Sequence, residues 1–60
     1  MKRHELLAKL KKEGCKFLEH GSRHDLYINP ANGRKAPIPR HGEIKNTLCM
    51  LIFRQLGIEK

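Results

Sequence analysis

The 60-residue chain contains no run approaching the roughly 18 apolar residues that cross a bilayer, and its N-terminus lacks the apolar stretch of a signal peptide. A soluble, cytoplasmic protein is the expectation. A Gly-rich phosphate loop, paired catalytic carboxylates and a nucleophile elbow are missing, as are internal repeats and low-complexity segments. Cysteine is scarce: Cys15 and Cys49 show no CxxC spacing and, without an export signal, read as ordinary reduced thiols. His20 and His24 stand four apart, but Gly21 and Ser22 break the helix that would aim both at one metal ion. No metal site is expected.

Acidic residues are also few. Thirteen lysines and arginines face six aspartates and glutamates, for a formal charge of +7, and between positions 20 and 42 the sole acid is Asp25. Such an excess points to a polyanionic partner, nucleic acid or an acidic protein. A membrane surface fits less well, because no helix-length segment pairs a wide apolar face with a lysine-rich one. A chain this short hides only about 60% of the surface its unfolded form exposes, so a thin core and a shallow site follow, and large cofactor enzymes are disfavoured.

What is present arranges itself as five elements in a single domain, 1–60. Residues 2–13, KRHELLAKLKKE, place Leu6, Leu7 and Leu10 on one side of an amphipathic helix that Gly14 ends. CKFLE, the turn HGSR and HDLYI read as a hairpin, with NPANG a second strong turn signal. In the strand RKAPIP that follows, Pro37 and Pro39 lack the ladder donor and indicate an edge position, with Ala36 and Ile38 on one face. The segment EIKNTLCMLIFRQLGI carries Ile44, Leu48, Leu51, Ile52 and Leu56 at helical spacing, with Cys49, Met50 and Phe53 partly off that stripe and Gly57 as the cap. The fold class is α+β: a small antiparallel sheet with two helices on one face.

Histidine is the side chain able to give and take protons near neutral pH, so the four histidines are the candidates for chemistry. His4 lies among charges in a first helical turn and reads as solvated; His20 sits exposed beside a turn. His41 precedes the last helix, where it could cap, touch phosphate or simply face solvent. His24 follows the Gly21-Ser22 turn and is anchored behind by Leu26 and Ile28, so backbone holds it while leaving it reachable. It shares parity with Leu26 and Ile28, which on a regular strand points it to the core side unless the turn or a bulge frees it. A half-buried strand histidine with a satisfied hydrogen bond is the competing reading. Around it, Lys16, Arg23, Arg34, Lys35 and Arg40 suit phosphate, and Tyr27 can stack on a base. With no phosphate loop, paired catalytic carboxylates or nucleophile elbow in the chain, the chemistry left is acid–base catalysis by histidine on a substrate carrying its own nucleophile, such as RNA with its 2′-hydroxyl.

The Gly-Ser-x-His element at 21–24, the Pro-Arg-His element at 39–41 and the closing Gln-Leu-Gly-Ile at 55–58 resemble, in order and spacing, the HicA-type toxins of HicA–HicB toxin–antitoxin pairs. The resemblance covers the chain from the first helix to Gly57. It implies a double-stranded-RNA-binding-like α-β-β-β-α fold and endoribonuclease activity on mRNA, an mRNA interferase without metal or organic cofactor. His24 is then the catalytic residue, and Lys16, Ser22, Arg23, Tyr27, Arg34, Lys35, Arg40 and His41 are the expected RNA contacts, with His20 or His41 as an assisting proton carrier. The implied partner is a HicB-type antitoxin protein in an oligomeric complex. A non-catalytic RNA-binding module with a merely structural His24 is the alternative, and a peptide-docking role for the apolar last helix is a third reading.

Overall fold

The computed structural model describes residues 1–58. Helix α1 spans Arg3–Lys12, strands β1, β2 and β3 span Lys16–His20, His24–Asn29 and Arg34–Pro39, and helix α2 spans Asn46–Leu56. The strands form an antiparallel sheet in the order β1-β2-β3, so proline-bearing β3 is an edge, as its sequence indicates.

Turn chemistry sets the boundaries. Gly14 takes φ 90° after α1, where the Cys15 N–H reaches back to the Leu10 carbonyl at 2.8 Å. Gly33 at φ 75° closes the β2–β3 turn, and Gly57 at φ 71° caps α2. Asn29 is buried, and its side-chain amide donates to the Leu56 carbonyl at 2.8 Å while its Oδ1 accepts the Ala31 N–H at 3.1 Å. One asparagine thus ties the β2–β3 turn to the end of α2.

The core gathers Leu6 and Leu10 of α1, Cys15, Ala36 and Ile38 of β3, Ile44, and Cys49, Ile52 and Leu56 of α2. Both cysteines are free and buried, and burial pushes the Cys15 thiol up. The phase of α2 differs from the sequence reading: Cys49 is interior, whereas Leu51 is 46% exposed beside Met50 at 61%. Cys49, Ile52 and Leu56 follow i, i+3, i+7, and Leu51 falls outside that arc. Helix–sheet packing selects the narrower stripe.

The sheet faces settle where His24 points. Residues paired across an antiparallel ladder share a face, so Tyr27 and Asp25, the partners of buried Ala36 and Ile38, lie on the helix side. His24, Leu26 and Ile28 pair with Pro39, Pro37 and Lys35 on the opposite, open face. The shared parity of His24, Leu26 and Ile28 therefore holds, but it leads away from the core, and no bulge in β2 is needed to free the histidine. Leu26 and Ile28 are half-buried on that face. The bulge lies in β1 instead, between Phe17 and Glu19. It leaves Phe17 opposite Tyr27 and His20 opposite Asp25, so residues three apart share the helix side. The strand β1 is exposed along its whole length, Phe17 and Leu18 included.

Candidate active site

The β1–β2 turn is tight: the Gly21 N–H donates to the His24 carbonyl at 2.7 Å, leaving Ser22 and Arg23 at the tip. A Cβ added to Gly21 would come within 2.9 Å of that same carbonyl oxygen, so glycine permits the closure. His24, exposed at the start of β2, borders a shallow depression of about 390 Å³ with Glu19, His20, Ser22, Leu26 and Pro37.

Beneath the turn, Asp25 is the hub. Its Oδ2 accepts from Arg3 Nη2 at 2.8 Å, and its Oδ1 accepts from Arg40 Nη2 at 2.9 Å and Nε at 3.1 Å, and meets His20 Nδ1 at 2.9 Å. The hydrogen bonds from His20 and Arg40 hold its carboxyl down at about 2, below the ordinary 3.8. An ionised carboxylate can only accept, so His20 Nδ1 carries a proton and donates it. The His20 side chain is 75% exposed. Arg40 also donates to the Gly21 carbonyl at 2.9 Å, which braces the turn bearing His24 from the end of β3.

The expected RNA contacts separate into groups. Ser22 shares the depression with His24, and Arg23 is exposed at the turn tip beside it. Lys16 and Lys35 flank Ile28 across the open face, four β2 residues from His24, or about 13 Å along the strand. Arg40 is engaged by Asp25 and the turn. Arg34 sits at the far end of β3, where its Nη1 donates to the Arg54 carbonyl at 3.4 Å. Tyr27 is on the helix side against Phe17, and His41 is exposed in the connection to α2. Sequence reasoning gave no role to Asp25, although a lone acid amid basic residues was the available signal. Among the described residues, no group of three or more His, Cys, Asp or Glu side chains could hold a metal ion, and no helix is long and apolar enough to cross a membrane.

Compared with known protein families, residues 3–58 match the model described as the HicA toxin of bacterial toxin–antitoxin systems. No curated protein and no solved structure matches the chain.

Proposed function

Because this chain belongs to the HicA toxin family of toxin–antitoxin systems, we propose that it is an endoribonuclease that cuts mRNA in the cytoplasm and is neutralised by a HicB-type antitoxin protein. The observation that carries the reading is His24: an exposed imidazole on a turn fixed by a 2.7 Å backbone bond, opening on a depression shared with His20.

The reaction needs one proton removed and one supplied. His24 takes the proton from the ribose 2′-hydroxyl, whose oxygen attacks phosphorus as the bond to the 5′-oxygen breaks. His20, oriented by Asp25 on the helix side of the same turn, reaches around the β1 edge to give its Nε2 proton to the departing 5′-oxygen. The products are a 2′,3′-cyclic phosphate and a 5′-hydroxyl, so atoms balance without an outside nucleophile. Arg23 lies at the turn tip to meet the phosphate charge. One well-placed acid–base group contributes about 10² to 10⁴ in rate.

The test is cleavage of RNA by the purified protein in metal-free buffer, with product ends identified by mass spectrometry. Cyclic phosphate ends from the wild type, none from His24→Ala, and an unchanged circular dichroism spectrum are expected. His20→Ala should lower cleavage by about 10²-fold or more. Undiminished cutting by His24→Ala rejects the assignment, and RNA binding without product would make the chain a non-catalytic binder.

A further inference from the structure

On the helix side of the sheet, α1 and α2 leave β1 uncovered, and a groove of about 380 Å³ opens between α1 and that strand. Its wall is aromatic: Phe17 and Tyr27 meet edge to face, with ring centroids 5.9 Å apart and an interplanar angle of 78°. Leu7 and Ala8 of α1 line the other side, and buried Cys15 lies at the end of the groove. The rim is basic, with His4 and Lys11 from α1, and among the described residues no carboxylate lines it.

The sequence has three aromatic residues, two phenylalanines and one tyrosine, and Phe17 is left 44% exposed here. Beyond Phe17 the His20 ring follows at 4.7 Å, and His20 is the group that Asp25 holds beside the turn of His24. An apolar slot would suit any greasy side chain, but a cationic rim without a matching acid asks for an anion attached to the apolar group. A nucleotide supplies both, a flat base for the rings and a phosphate for Lys11.

We propose that this groove binds one base of single-stranded RNA, stacked on Phe17, at a position along the strand from the bond cut at His24. The inference rests on the nuclease reading for its substrate, not for its geometry. It makes the helix side a second contact surface, reached around the β1 edge by way of His20.

The experiment uses the full chain carrying His24→Ala, so that RNA stays intact, and a fluorescein-labelled octaadenylate followed by anisotropy. Adding Phe17→Ala should weaken binding about 5- to 150-fold, the range for truncating a stacking ring, while Phe17→Tyr retains affinity. The chain has one tyrosine and no tryptophan, so Tyr27 emission should change as unlabelled RNA saturates the protein. Equal affinity with and without Phe17, or Tyr27 emission indifferent to RNA, overturns the proposal. So does loss of antitoxin binding by Phe17→Ala with RNA affinity intact, which would assign the groove to a protein segment. RNA bound through Phe17 by a wild type that yields no cut product would sink the nuclease reading and leave the groove standing.

Discussion

Asp25 shows how one residue can organise a site without reacting. It gathers Arg3 from α1, Arg40 from the end of β3 and His20 from β1, and two of these define the surroundings of His24. Its carboxyl is held at about 2 against an ordinary 3.8, so it favours the folded state above pH 4 and loses that contribution as pH falls through the folded value. Acid unfolding of the wild type should therefore show a component between about pH 4 and pH 2 that Asp25→Asn lacks, measured by circular dichroism. The same variant should depress cleavage at neutral pH by freeing the His20 ring to turn. That His24 lies next to a rigid turn was legible from Gly21-Ser22; the partners of Asp25 were not, because Arg3 approaches it only through the tertiary fold.

The elements divide by how local their causes are. Gly14, Gly33 and Gly57 each take positive φ where the sequence places a helix end or a turn, so all five elements could be read in order. The phase of α2 was misjudged at Leu51 because several apolar residues crowd both sides of its stripe, and only packing against β3 decides between them. The β1 bulge was invisible: an extra strand residue has no compositional mark, yet it decides that Phe17 and His20 share a face. At the β1–β2 turn, Gly21→Ala pushes a methyl toward the His24 carbonyl oxygen, where backbone must yield. Cleavage should fall by about 10²-fold, since a displacement near 1 Å suffices for that loss. Thermal unfolding of the variant separates this local shift from general destabilisation.

As a whole the molecule is a slab, with principal extents of 27 × 26 × 16 Å, and its core is one layer of side chains between helices and sheet. A domain this small has about 3–5 kcal/mol from its core in total, while truncating a fully buried leucine costs about 2–5 kcal/mol. Leu10→Ala should accordingly be largely unfolded at 25 °C in chemical denaturation, a loss of activity unrelated to the site. The +7 charge, too, belongs to this scale: binding to single-stranded RNA should weaken with salt at a log–log slope of roughly −0.7 per phosphate engaged. A body sixteen ångströms thick also offers no interior in which to hide a reaction. Its transition state would stand in bulk water, where dielectric screening blunts every charge brought to bear, so turnover is expected to be sluggish and readily quenched by ionic strength.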